Sequence, residues 1–356
     1  MSTLSVANIT GQPTSNLGII NVTTLNVGAN VVVNTSTFAV GNSSVNTTHT
    51  ATGITFGDAS QIGSASSLGV RNRIINGGMD VWQRGTSFSS IAAGTYTADR
   101  FAPTLSGVSV TVTQDTGVPN VNFKYSLKMV PTSNTTPSEC ALRQFIEQQN
   151  VFDLAGKTVT GSAWVYTNKS SIKFRVATMN STGNGDINVT INLTPNTWTK
   201  ISSTFTSFSA ITAWTGGTNV QGAHVDIGFV DSTPVTTSDY IYVTGVQLET
   251  GSVATPFDRR PYGMELALCQ RYYSGPLFCS VGGFTSSGIG MYATYNFPVT
   301  MRANPTTVTS GVALVGSCTG FSVSEAYFNG IKVVATNTTG GSGIATMNVA
   351  ASAELL

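Results

Sequence analysis

Catalysis needs acids, bases or nucleophiles that converge with tuned proton affinities, and this chain offers few. Its 356 residues include two histidines. His49 lies in a polar N-terminal stretch and His224 beside a strand-like run, and neither stands near an acid–nucleophile pattern. The 16 carboxylates are scattered, whereas a glycosidase would need two held roughly 5–9.5 Å apart across a cleft. Asp226, Asp231 and Asp239 form the one local cluster. They read either as turn and edge residues or as an oxygen-rich site of the kind calcium prefers; beyond that calcium no cofactor is implied. No glycine-rich phosphate loop follows a strand and opens a helix, so nucleotide binding has no support. Cys140, Cys269, Cys279 and Cys318 lie far apart with no C-x-x-C pair. That excludes a dense disulfide scaffold or a recognisable zinc site and leaves small, buried or tolerated thiols.

Binding chemistry is better represented. Trp214 stands alone in the polar loop Ile211-Thr212-Ala213-Trp214-Thr215-Gly216-Gly217. There it either presents a flat face to a sugar ring or packs onto its own sheet. Trp82 and Trp164 read as core, and Trp198 as core or edge. Near the C-terminus Tyr292, Tyr295, Tyr327 and Phe328 form the main aromatic set, either an inter-chain core or a recognition surface. With a formal net charge of +1 there is no long-range field to steer a charged polymer. Contact through aromatic and amide side chains, not charge, is the expectation.

The elements that must carry these residues are strands. Only 9% of residues are charged, against roughly 25% in an average soluble protein, and Gly, Ser, Thr, Asn and Val fill the difference. Thr and Val favour pleated strands. The 37 glycines against 12 prolines suit many tight turns. The fold class is all-β. No clustered Lys/Arg run supports nucleic-acid binding, and no stretch of about 20 apolar residues supports a membrane span. The N-terminus MSTLSVANIT lacks the basic and apolar regions of a secretory signal, so assembly in a cytoplasm and release by a route such as lysis is expected.

Four segments are expected. Residues 1–70 carry a loose repeat, Leu25-Asn26-Val27-Gly28, Phe38-Ala39-Val40-Gly41 and Ile54-Thr55-Phe56-Gly57. Such short strands bury too little to offset about 1–2 kcal/mol of backbone entropy per residue. Alone the segment is disordered; wrapped with two identical chains it becomes an intertwined trimeric β stalk. Residues 71–260 alternate as a β-sandwich, most cleanly at Ile187, Val189, Ile191 and Leu193. In 261–274 a short helix is expected, with Met264, Leu268 and Tyr272 on one face, as a cap on the sandwich or one arm of a three-helix neck. Strands resume over 275–356 as a small β tip domain.

Two stretches resemble a module of tail-fibre and related virion proteins of tailed bacteriophages. The opening match is Arg71-Asn72-Arg73-Ile74-Ile75-Asn76-Gly77-Gly78-Met79-Asp80-Val81-Trp82-Gln83-Arg84-Gly85 with Tyr96-Thr97-Ala98-Asp99-Arg100-Phe101. The closing match is Gly245-Val246-Gln247-Leu248-Glu249 with Ala254-Thr255-Pro256-Phe257-Asp258-Arg259-Arg260-Pro261, running into Glu265 through Tyr273. The middle resembles a carbohydrate-binding jelly roll at Gln144-Phe145-Ile146-Glu147, Leu154-Ala155-Gly156-Lys157, Ser162-Ala163-Trp164-Val165 and Asn196-Thr197-Trp198-Thr199-Lys200. Those modules bind sugars through exposed aromatics and often carry a structural calcium.

The resemblance implies a non-enzymatic structural fibre of a phage virion. It would be a homotrimer, joined to another virion protein through residues 1–70, that meets a host surface polysaccharide with its distal domains. A capsid decoration fibre of the phage head and a polysaccharide depolymerase are the alternatives. The candidate sugar contacts are Trp214, Tyr292, Tyr295, Tyr327 and Phe328, with no catalytic residue, nucleic-acid partner or membrane insertion expected.

Overall fold

Alternation of apolar and polar residues is the strongest local signal in the sequence, and the chain realises it as antiparallel strands throughout. The computed structural model describes residues 37–41, 46–50, 53–55, 61–63 and 71–355, except 183, 184 and 218. The chain divides into two compact units, residues 1–65 and 66–356.

In the first unit β1 (Thr37–Gly41), β2 (Asn46–Thr50), β3 (Gly53–Thr55) and β4 (Gln61–Gly63) pair in sequence order as an antiparallel meander. The repeat unit at 25–28 and the three-chain intertwining expected of 1–70 lie outside the described residues.

The second unit begins with the expected sandwich. Its strands are β5 (Ser87–Ile91), β6 (Ala102–Ser106), β7 (Val110–Asp115), β8 (Ser126–Pro131), β9 (Glu139–Glu147), β10 (Val159–Thr167), β11 (Ser171–Thr178), β12 (Ser181–Thr182), β13 (Asp186–Asn192), β14 (Thr199–Phe205), β15 (Ala213–Trp214), β16 (Gln221–Gly228) and β17 (Ile241–Thr250). They form a six-stranded sheet, β14-β10-β17-β8-β7-β5, facing a five-stranded sheet, β13-β11-β16-β9-β6. This is an all-β jelly roll.

Its core is the set of inward alternating side chains, among them Val112, Leu127, Val165, Phe174, Phe205 and Val243. Each large one contributes roughly 1.5–3 kcal/mol on burial. Phe174 and Phe205 meet edge to face at 5.2 Å, and Gly161 makes room for them. A Cβ on Gly161 would sit 2.7 Å from Phe174 Cζ and 3.0 Å from Phe205 Cε2.

Pro261 starts helix α1 (Tyr262–Gln270). The buried face is the expected one only in part, since Tyr272 is buried and Leu268 half-buried but Met264 is not. Met264 is 51% exposed, while Glu265, Cys269 and Tyr272 are buried. The rotation follows from polar demand: buried Arg260 and the Asn76 backbone N–H both bond to the Glu265 carboxylate. An unpaired buried charge would cost more than the apolar stripe gains. Cys269 and Tyr272 pack with Ile75, Val81 and Leu355, so the helix caps the sandwich.

The tip follows as β18 (Tyr273–Thr285), β19 (Met291–Asn296), β20 (Thr306–Gly316), β21 (Cys318–Tyr327), β22 (Gly330–Asn337) and β23 (Gly341–Ser352). Sheets β18-β23-β20 and β19-β22-β21 enclose a second core that includes Ile331, Val333, Ala345, Met347 and Val349. The last residues fasten the tip to the jelly roll. Buried Arg100 pairs with Glu354 and stacks 3.5 Å over the Tyr272 ring, while the Tyr96 hydroxyl donates to the Leu355 carbonyl. Among the described residues no helix is long and apolar enough to cross a membrane.

Candidate functional site

On β10 the parity of side chains divides the two faces. Val159, Gly161, Ala163 and Val165 point into the core, which leaves Ser162, Trp164 and Tyr166 on the outer face of the six-stranded sheet. Trp164 is therefore half-buried on that outer face and lines a cavity, where a core position was expected. The cavity is a groove of about 850 Å³, walled by Phe123 and Phe257, with Ser162, Lys200 and Gly245 along the sheet.

Gly245 sets the depth of this groove. The pairing of β10 with β17 shifts register between Ser162 and Trp164, a β-bulge that leaves one extra residue on β17. Gly245 takes φ +62° there, and a Cβ on it would stand 2.8 Å from Phe123 Cζ and 3.1 Å from Trp164 Cδ1. The Phe123 and Phe257 rings pack at 5.3 Å, tilted by 51°. Arg259 braces the same wall by donating to Asp80 at 2.9 Å and to the Asn122 carbonyl.

Next to the groove lies an aromatic platform. Tyr166 pairs in register with Tyr242, and Trp164 with Lys200. Tyr166 stacks on Tyr240 at 5.8 Å and meets Trp198 at 5.7 Å and Tyr242 at 5.5 Å. All four rings are half-buried, and each therefore keeps surface in solvent. Tyr240 and Asn196 are joined by a 2.5 Å hydrogen bond from the phenol to the amide oxygen.

The electrostatics of the two sandwich faces differ. On the five-stranded sheet the charges cancel locally. Asp226, fully buried, accepts from Arg143 at 2.7 Å and faces Arg175 at 3.4 Å; Arg175 also holds Asp186 at 2.6 Å; Lys173 holds Asp231 at 2.5 Å. Arg175 keeps the Asp186 carboxyl below its ordinary range. His224 sits in this face with neither ring nitrogen hydrogen-bonded, and burial pushes its pKa down to about 4. On the six-stranded sheet, by contrast, no carboxylate among the described residues lines the groove, while Lys124, Lys200 and Arg259 do.

The residues singled out in the sequence fall in three places. Trp214 packs on the jelly-roll core: it stacks with Phe152 at 6.4 Å, leans on Phe208 at 6.4 Å, and its Nε1 donates to the Phe152 carbonyl at 3.1 Å. Tyr292 and Tyr327 share the solvent face of β19-β22-β21. They are linked through Lys332, 4.9 Å over the Tyr292 ring, and Glu325, which bonds both Lys332 and the Tyr327 hydroxyl. Phe328 is exposed in the turn that follows. Tyr295 turns toward the tip core and bonds to the Ser280 backbone. Asp226, Asp231 and Asp239 do not converge. They pair respectively with Arg143, Lys173 and Lys169, and among the described residues no three His, Cys, Asp or Glu side chains could hold a metal ion.

Trp164 was read as core in the sequence, and Phe123, Phe257 and Lys200 were not singled out as contacts there. The signal was present: Thr160 and Ser162 share the parity of Trp164 and Tyr166, which marks the outer face.

A scan against models of protein families gives no match, and no curated protein matches the chain. Similar solved structures include the enzymatically active domain of bacteriophage CBA120 tailspike protein 4. It shows 15% identity over 51% of this chain and 21% of that one, with a TM-score of 0.31. The CBM22-1 xylan-binding domain of Paenibacillus barcinonensis Xyn10C shows 15% identity over 47% of this chain and 94% of that one, with a TM-score of 0.29. TmCBM61, solved with β-1,4-galactotriose, shows 13% identity over 51% of this chain and 99% of that one, with a TM-score of 0.32.

Proposed function

We propose that the chain is a non-enzymatic fibre protein of a tailed-bacteriophage virion, assembled in the host cytoplasm as a homotrimer. Residues 1–70 attach it to another virion protein, and its jelly roll contacts a host surface glycan through the groove and platform of the six-stranded sheet. The observation that carries this reading is the groove itself. Pyranose rings present apolar C–H faces and ordered hydroxyls. A concave site with an aromatic floor and a few convergent polar groups fits them, and Trp164, Phe123 and Phe257 beside Ser162 and Asn120 supply that combination. The resemblance of residues 71–273 to fibre modules supports the virion setting.

The same geometry supports binding over hydrolysis. Cleavage of a glycosidic bond needs an acid and a second carboxylate, and the groove lining holds neither. Asp80, beside its wall, is bound to Arg259.

A glycan array probed with the full-length protein tests the reading. Trp164→Ala and Phe257→Ala should weaken retained glycans by about tenfold or more, roughly 1.4 kcal/mol, and reduce adsorption to host cells in parallel. Polymer length should stay constant during incubation. An array that retains nothing, or variants that bind as the parent does, would refute glycan contact at this face.

A further inference from the structure

The chain is nearly neutral, yet its unpaired cations are not evenly spread. Of 17 Lys and Arg residues, those without an ion pair among the described residues are Arg71, Lys124, Lys128, Lys157 and Lys200. Three of these five belong to the solvent face of the six-stranded sheet. Lys124 and Lys200 line the groove, and Lys128 stands opposite Tyr242 in the β8–β17 register.

Their ammonium groups have only weak partners. Lys200 Nζ donates to the Thr255 carbonyl at 3.2 Å, Lys124 Nζ lies 4.9 Å from the Tyr125 ring centre, and Lys128 Nζ lies 5.1 Å from that of Tyr242. A carbonyl or an aromatic face leaves most of an ammonium's hydrogen-bonding capacity free. Elsewhere this protein pairs most of its cations with carboxylates, so a groove with two open ammoniums and no acid among its lining residues, and a third ammonium on the same sheet face, has an unmet demand for anions.

Resting on the glycan-contact reading above, we infer that the ligand of this face is an acidic glycan, one whose sugar units carry carboxylates. The aromatic rings of Trp164, Tyr166 and Tyr242 take the pyranose faces, and Lys124, Lys128 and Lys200 take the acid groups. The span suits a polymer. From β14, which bears Lys200, across β10 and β17 to β8, which bears Lys128, is three strand spacings, about 14 Å. A single acidic sugar cannot reach both lysines, whereas consecutive charged units can. Polyanion and aromatic contacts then reinforce each other along one chain.

The test uses the full-length protein and polymers of one backbone, polygalacturonate and its fully methyl-esterified form, with poly-glutamate as a polyanion lacking sugar rings. Polygalacturonate should bind at least about tenfold tighter than the ester, and the advantage should shrink as salt rises from 50 to 300 mM, because exposed charge pairs are screened. Lys124→Gln with Lys200→Gln should remove that advantage, bringing the acid and the ester to within about twofold of each other. Trp164→Ala should weaken both sugar polymers. Equal affinity for acid and ester overturns the acidic-glycan inference while glycan contact stands. Poly-glutamate binding as tightly as polygalacturonate overturns it too, since the face would then be merely basic. Retention of neither sugar polymer, by a protein that also binds nothing on the glycan array, removes the underlying reading as well.

Discussion

Asn76 and Glu265 lie 189 positions apart and meet inside the molecule, where the Asn76 backbone N–H donates to Glu265 Oε1 at 2.6 Å. Around this bond the opening stretch 71–101 and the closing stretch 245–273 are tied into one buried network. Arg260 donates to Glu265 and to the carbonyls of Ile74 and Asn72; Asn72 donates to Val246 at 3.0 Å; the Asn76 amide bridges Val81 and Asp99. These two stretches thus close the start of the jelly roll onto its last strand and helix.

Removing Glu265 should show this. Glu265→Ala strands the Arg260 guanidinium, which is almost wholly buried, and leaves the Asn76 N–H without its acceptor. Breaking a buried pair in this way costs about 3–5 kcal/mol. Chemical denaturation should show a loss of that size, and a loss below about 1 kcal/mol would show that the network does not hold the ends together.

Gly245→Ala tests the groove's floor. An L-residue at φ +62° is strained, and the added methyl collides with Phe123 and Trp164. The strain alone costs on the order of 1–3 kcal/mol. Glycan affinity should fall with it, because the rings that form the site must move. Retained affinity at reduced stability would show that sugar does not rest on these rings.

Trp214→Ala should act on stability and leave adsorption intact. Its indole stacks on Phe152, leans on Phe208 and donates to a backbone carbonyl, contacts worth about 1–3 kcal/mol together. Thermal unfolding of the variant beside a cell-binding assay separates the two effects.

His224 gives the jelly roll an acid-sensitive step. Its ordinary pKa of 6.5 falls to about 4 in the fold, chiefly through burial and against the pull of Asp226 3.6 Å away. Unfolded chains take up this proton below 6.5 and the folded protein only near 4. Stability is therefore intact above pH 6.5, declines between 6.5 and 4, and levels off below, a total of about 3 kcal/mol. Arg143, Arg175 and Asp186 face the same ring as lesser contributors. His224→Phe should flatten the stability–pH curve in that window. Asp186, held low by Arg175, loses its contribution only at more acid pH, so the two steps are separable.

Much of the fold was legible because period-2 alternation survives wherever one strand face is buried. Ile172, Phe174 and Val176, or Ile187, Val189 and Ile191, need no partner to be read as strands. The groove was less legible. It depends on Gly245, whose bulge displaces β17, and on loops that carry Phe123 and Phe257 from 134 positions apart in the chain. Bulges and loop packing leave no periodic trace. The helix face was misread in part for a related reason: apolar spacing selected Met264, while the buried Arg260 required Glu265. Net charge likewise concealed the open lysines, since it sums paired and unpaired groups alike.

The tip carries a final expectation, because one face of one of its two sheets is left exposed among the described residues. The outer face of β18-β23-β20 exposes Phe278, Phe284, Val308, Val315 and Ile344, with Phe284 at 79% and Val308 at 70%. No Lys, Arg, Asp or Glu occurs in β18, β20 or β23. β20 is an edge strand of 11 residues, and edges of that length are normally guarded by charge or proline. The five side chains leave on the order of 600 Å² of apolar surface in water, close to the roughly 800 Å² per partner of a standard interface. In the proposed trimer a second and third copy of the chain would supply matching uncharged faces and turn the sheet bearing Tyr292 and Tyr327 outward. Light scattering on the full-length protein should then give three times 37.1 kDa. Amide exchange across Thr306–Gly316 should be slow in the parent and at least about tenfold faster in a Val308→Glu, Val315→Glu double variant, as lost burial exposes the edge. A monomer at micromolar concentration, or exchange that is equally fast in both proteins, would show that the face stays open to water and that trimerisation does not run through the tip.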